Sequence, residues 1–162
     1  MQKFFITLFF CFSVIIGFCQ KENEPTSPAQ SVFLEIGGNG LLFSANYDVR
    51  FTPHQNGIGG RIGLGFFGGS GGGILTVPIG LNYLAGKAPN FLEAGLGYTY
   101  ATFTGQDEFF SGHGGLLFPS IGYRYQQAGN GLMARIVISP AIEFGEGGGW
   151  AFFGGIGVGY KF

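Results

Sequence analysis

Three groups of residues in this chain have the types that chemistry requires. The stretch Gln106-Asp107-Glu108-Phe109-Phe110-Ser111-Gly112-His113 gathers acids, a hydroxyl and an imidazole, the side chains used in acyl transfer. All of them fall in one glycine-containing connection, so the spacing does not hold a nucleophile against a base. Phe109, Phe110 and His113 read instead as an exposed apolar loop tip able to touch lipid or a partner. The run Gly68-Gly69-Ser70-Gly71-Gly72-Gly73 lacks the lysine and the following helix of a phosphate loop and reads as a flexible hairpin. Neither His54 nor His113 has a second histidine or a cysteine at metal-ligand spacing, so no metal or cofactor site is expected. The third group is the set of charges Glu35, Asp48, Arg50, Arg61, Glu93, Arg124, Arg135, Glu143 and Lys161. They are scattered along the chain but share one property, which emerges only from the elements that carry them.

Those elements are strands. Glycine-rich and Asn/Gln/Pro-containing breaks divide the chain into eight segments, at 31 to 38, 41 to 52, 58 to 67, 74 to 85, 91 to 103, 115 to 126, 131 to 143 and 150 to 162. Most are close to the length a tilted strand needs to cross a bilayer. Glycines recurring every second residue, as at Gly63, Gly65, Gly95 and Gly97, would be costly in a helix. Phe43, Ala45, Tyr47, Val49 and Phe51 share one face of the second segment, and Ser44, Asn46, Asp48 and Arg50 share the other. Every one of the nine charges falls on the less apolar face of its strand. A charge on a lipid-facing side costs about 2 to 4 kcal/mol at the bilayer midplane, so membrane exposure accounts for the segregation. The pattern predicts an all-β, eight-stranded antiparallel up-and-down transmembrane β-barrel, its lumen filled by a network of ion pairs and hydrogen bonds.

The N-terminus supplies an address. Lys3 precedes an apolar run from Phe4 to Phe18, too short for a spanning helix and right for a secretory signal. Residues 1–19 are expected to be a cleaved signal peptide, residues 20–30 a flexible leader and residues 31–162 the barrel. Acylation of Cys19 is the alternative, but Phe18 stands where a small residue is wanted. Cleavage takes Cys11 and Cys19 together and excludes cysteine chemistry. It also removes Lys3, leaving 7 basic and 9 acidic residues of the original 8 and 9, so nucleic acid is not an expected partner. Only 10% of the chain is charged, against roughly 25% in an ordinary soluble domain.

With eight strands both termini share the periplasmic side, where the connections should be short, and 53 to 57, 86 to 90 and 127 to 130 are. The longest connection, Thr104 to Gly114, falls on the outer side, and the turn near Gly37 to Gly40 is tight for that side. Phe51, Tyr83, Tyr123, Tyr125, Tyr160 and Phe162 form one expected aromatic girdle. Phe43, Phe66, Tyr98, Tyr100, Trp150 and Phe152 form the other. Pro78, Pro119 and Pro140 lie within strands and are expected to sit at bulges or frayed ends.

The final residues, Gly155-Ile156-Gly157-Val158-Gly159-Tyr160-Lys161-Phe162, alternate up to a terminal aromatic. With Asn46-Tyr47-Asp48 and Gly122-Tyr123-Arg124-Tyr125, they resemble the small eight-stranded outer-membrane barrels, the OmpA-like and OmpX-like class of Gram-negative envelopes, across residues 31–162. The resemblance implies an outer-membrane location and this fold, and it brings no catalytic residues to carry over. It also implies Val158, Tyr160 and Phe162 as a signal for the barrel-assembly machinery. Outer-membrane lipid and an envelope or extracellular protein are the partners that follow. Three other readings share parts of the pattern: a barrel that binds a small solute or passes it through a narrow pore, a lipid-acting outer-membrane enzyme, and a soluble periplasmic barrel with an apolar interior. Eight strands leave an interior only wide enough for side chains or one small ligand.

Overall fold

The structure, a computed structural model, describes residues 28–69, 72–105, 112–143 and 149–162. Eight antiparallel strands, each paired with the next, close into a barrel through β1 and β8. They are β1 (Gln30–Gly37), β2 (Phe43–Arg50), β3 (Gly57–Gly69), β4 (Gly72–Lys87), β5 (Asn90–Gly105), β6 (Gly112–Gln126), β7 (Gly131–Glu143) and β8 (Trp150–Lys161). The closing seam runs to the last residue, because Gln30 and Phe162 exchange backbone bonds of 3.1 and 2.9 Å.

Burial follows the strand period. In β2 the exposed Phe43, Ala45 and Tyr47 alternate with the buried Ser44, Asn46, Asp48 and Arg50. Leu34 (70% exposed), Leu64 (63%), Leu81 (58%), Ile138 (58%) and Ile156 (60%) face outward, while Arg124 is fully buried. A barrel with an apolar inside and a charged outside is thus the reverse of the one that forms. The aromatic residues expected as girdles are exposed on the exterior, apart from the half-buried Tyr125.

Several boundaries differ from the sequence reading. Gln30, assigned to the leader, already belongs to β1 and pairs with Val49. β3 extends to Gly69 and β4 starts at Gly72, so most of the glycine run is strand ladder rather than loop. β5 and β6 likewise climb to Gly105 and Gly112, which shortens the expected long connection and puts His113 in β6, opposite Thr102. Glycine tolerates an extended ladder when cross-strand bonds supply the order, so composition alone marked these stretches as breaks.

The prolines cause no bulge. Leu117↔Ile142 and Ile121↔Ile138 keep one register across β6 and β7, which sets Pro119 opposite Pro140 in the interval where the ladder is interrupted. Two residues without N–H groups thus share one gap, and the cost is confined to one stretch of one seam. The Ser139 hydroxyl bridges the gap by donating to the Pro119 carbonyl at 3.1 Å. Pro78 sits in a similar gap between Ile62↔Ile79 and Gly65↔Thr76.

Candidate functional site

The interior positions of seven strands converge on one chain of charges. Arg50 Nη2 donates to Asp48 Oδ1 at 2.6 Å. Arg124 then takes Asp48 with both terminal nitrogens, each at 3.2 Å, while its Nε donates to Glu93 at 2.8 Å. Arg135 bridges Glu93 at 2.8 Å and Glu35 at 2.6 Å, and Arg61 closes the series on Glu35 at 3.4 Å. The order Arg50, Asp48, Arg124, Glu93, Arg135, Glu35, Arg61 alternates in sign throughout. Each carboxylate is held by two guanidiniums, the arrangement that offsets burial of an ion. Asn82 of β4 joins at one end, donating to Asp48 and accepting from Arg50.

β8 takes part by omission. A side chain at Gly157 would press on Phe33 and Arg135, and one at Gly159 would collide with the Val32 carbonyl and Phe33. These two glycines admit the Phe33 ring, which is 3% exposed, into the lumen. Arg61 and Arg135 lie over that ring at 5.8 and 5.4 Å from its centroid, a cation–π geometry.

The end that carries both termini is closed by neutral groups and one lysine. Gln55 reaches in from the β2–β3 connection to donate to the Ala128 carbonyl and accepts from Gln126 at 3.3 Å. Lys161 donates to the same carbonyl at 2.8 Å. It therefore stands apart from the guanidinium chain. Glu143, grouped with the luminal charges by parity, is exposed at the last position of β7. Parity says which way a side chain points but not how far along the barrel axis it lies, and at that height there is no interior left to enter.

The opposite end, the hairpin end, carries the β1–β2, β3–β4, β5–β6 and β7–β8 connections, and among the described residues it is closed by backbone. Between β1 and β2 the chain turns inward as the 3-10 turn Gly38–Gly40, all three residues buried. Thr99 donates to the Asn39 carbonyl at 2.6 Å and Thr76 to the Gly40 carbonyl at 3.1 Å, while the single Ser139 hydroxyl proton is shared between the Pro119 carbonyl and Asn39 Oδ1, 3.2 Å away. A side chain at Gly97 would collide with the Asn39 amide, so that glycine is the socket for it. Leu41 leaves the turn at φ 72°, ψ −78°, with Leu42 N 3.1 Å from the Gly40 carbonyl. This is a γ-turn of the strained hand, and a residue other than glycine there costs on the order of 1 to 3 kcal/mol. What the sequence presents as a tight external turn is thus an internal one.

Thr76, Asn82 and Thr99 stand on the polar parity of their strands and could be read as luminal, as could Ser139 from its spacing to Arg135. Asn39 lies outside any alternation, so no local pattern marks it. Val158 (53% exposed) and Tyr160 (51%) project outward from β8, with Phe162 (46%) beyond them. Phe109 and Phe110, with Asp107, Glu108 and Ser111 of the acyl-transfer constellation, lie outside the described residues, as do the signal segment and most of the leader. His54 is exposed near the terminal end. Among the described residues no group of three or more His, Cys, Asp or Glu side chains is placed to hold a metal ion.

Closed eight-strand topology, an apolar exterior and a charged core define a small up-and-down barrel of the OmpA-like and OmpX-like architecture. The N-terminal β-barrel domain of Pseudomonas aeruginosa OprF has this fold too. Its crystal structure matches at a TM-score of 0.57 and 14% identity, over 86% of this chain and 100% of that one. Ail, the attachment invasion locus protein of Yersinia pestis, aligns at a TM-score of 0.43 and 16% identity, over 84% of this chain and 97% of that one. No protein-family model and no curated protein matches the sequence.

Proposed function

We propose that this protein is an integral outer-membrane β-barrel with a structural or envelope-interaction role and no catalytic one. The observation that carries the reading is the exterior: a band of exposed Leu, Ile and Val surrounds the barrel, while seven charged side chains pair inside it. Water solvates the apolar exterior poorly, and the buried ions, cut off from water, need partners in its place. Lipid suits the outside, and mutual pairing suits the inside. Exposed Phe, Tyr and Trp near the two ends of the band add the interfacial anchors that such a barrel uses.

The interior favours a structural role over solute passage. Asp48 and Arg124 join opposite walls across the lumen, and buried groups close both ends of it. On this reading outer-membrane lipid is the principal partner, and the assembly machinery meets Val158, Tyr160 and Phe162 on β8. Any protein partner meets the hairpin end.

Membrane fractionation of the native protein tests the location, and gel migration before and after boiling tests the barrel. The expected result is recovery with outer membranes, a boiling-dependent shift, and no steady conductance when the barrel is placed in planar bilayers. Recovery in the soluble periplasm would overturn the location, and a steady conductance would overturn the closed lumen.

A further inference from the structure

The turn that closes the hairpin end is built differently from the wall around it. We propose that Gly38–Gly40 is a displaceable plug, latched by the hydroxyls of Thr76, Thr99 and Ser139, whose release opens the hairpin half of the lumen to solvent. The proposal concerns the interior alone and stands apart from the membrane reading, because it does not depend on which side of a membrane the hairpin end faces.

Three features separate a lodged segment from a fixed one. The wall is complete without it: β1 and β2 pair from Gln30↔Val49 to Ile36↔Phe43, the Gly37 N–H donates to the Leu42 carbonyl at 2.8 Å, and only Gly38 to Leu41 turn into the barrel. A hairpin needs as few as two residues to reverse, so the inward excursion is not required by chain closure. The hold on the segment comes from neutral side-chain hydroxyls on β4, β5 and β7, in contrast to the paired charges below it. Neutral bonds of this kind exchange for water at little net cost, whereas separating the buried ions does not.

The third feature is stored strain. Leu41 keeps its left-handed backbone only because the segment before it is anchored inside and the strand after it is anchored in the wall. Letting go of the latch removes the first anchor and lets Leu41 relax, so strain and latch oppose one another. Glycines at the contact leave the path clear. Gly97 and Gly155 present only backbone toward Asn39 and Gly38, so neither adds a side chain that would trap the turn. Directly beneath, the Glu35 carboxylate lies about 3 Å from where a side chain on Gly38 would begin, so withdrawal uncovers the end of the charge chain.

A cysteine placed in the plug reads its exposure. The full chain carrying Asn39→Cys, folded in detergent, is treated with a small charged thiosulfonate reagent, with the unsubstituted chain as the blank for Cys11 and Cys19. Labelling is expected to be slow, to accelerate at least tenfold when Thr76→Val and Thr99→Val remove the two hydroxyls that bind the turn's carbonyls, and to fall below the starting rate when Leu41→Gly relieves the strain. Met133→Cys, at a fully buried site near the terminal end, reports general loosening and should not respond to the threonine changes. Equal labelling of Asn39→Cys in all folded forms would overturn the proposal, as would a parallel rise at Met133→Cys. If the double threonine variant does not fold, Leu41→Gly decides alone: slower labelling supports a strained plug, and unchanged or faster labelling refutes it.

Discussion

Arg124 on β6 and Asp48 on β2 clasp one another across the barrel, with Nη1 and Nη2 each 3.2 Å from a different carboxylate oxygen. The two strands share no ladder and stand on opposite sides of the closed sheet, so this one forked contact braces the barrel across its diameter. Arg124→Ala is expected to destabilise the folded barrel by about 3 to 5 kcal/mol, because it strips the buried Asp48 and Glu93 of a shared partner. Arg124→Lys should restore only part of that, since an ammonium cannot fork to two carboxylates in the same way. Urea unfolding in lipid vesicles measures both. A loss under about 1 kcal/mol for Arg124→Ala would mean that water reaches the carboxylates.

The exterior makes an opposite prediction. Ile136 is 54% exposed on β7, between Tyr123 of β6 and Ile156 of β8. In lipid, Ile136→Arg should cost about 2 to 4 kcal/mol if its position is near the midplane. In detergent-free water the same exposed substitution would cost almost nothing. Folding yield into vesicles of defined thickness distinguishes the two.

The glycines of the strands should divide sharply by surroundings, Gly159 lying against the filled lumen and Gly69 exposed at the end of β3. Gly159→Ala drives a methyl group into the Val32 carbonyl and the Cα and Cβ of Phe33, while nothing lies within 4 Å of a side chain at Gly69. We expect Gly159→Ala to destabilise by about 1 to 3 kcal/mol through overpacking. Gly69→Ala should leave the unfolding midpoint unchanged. Equal effects at both sites would show that the glycines serve strand flexibility rather than luminal space.

Deleting Phe162 should slow barrel closure. The residue exchanges both backbone bonds with Gln30 at the seam where the first strand meets the last. Phe162→Leu keeps those bonds and changes only the side chain. If assembly in cells fails equally in both variants while refolding in vitro is impaired only by the deletion, the ring is a recognition element and the backbone a closing one.

The withdrawal of the β1–β2 turn into the barrel shows where local reading stops. Asn39 has a polar side chain in a glycine-flanked connection, and such residues ordinarily face water. Its partners, Thr99 and Ser139, lie 60 and 100 residues away, and no periodicity links them to it. The charges were more legible, because Asp48, Glu93, Arg124 and Arg135 each sit in an alternation that assigns them a face. Glu143 obeys the same alternation and still ends exposed, because its height along the axis is a property of the closed barrel.

The number of strands, the different surroundings their two faces require and the side of each strand on which charge is allowed can all be read along the chain. These follow from a period of two within a single segment, where neighbouring residues impose the pattern on one another. Tertiary structure decided which acid meets which base, that Pro119 faces Pro140, that Phe33 fills the space left by two glycines, and that one turn lies inside. Each of those depends on the stagger between strands as the sheet closes on itself, a quantity set by all eight pairings together and carried by no single one.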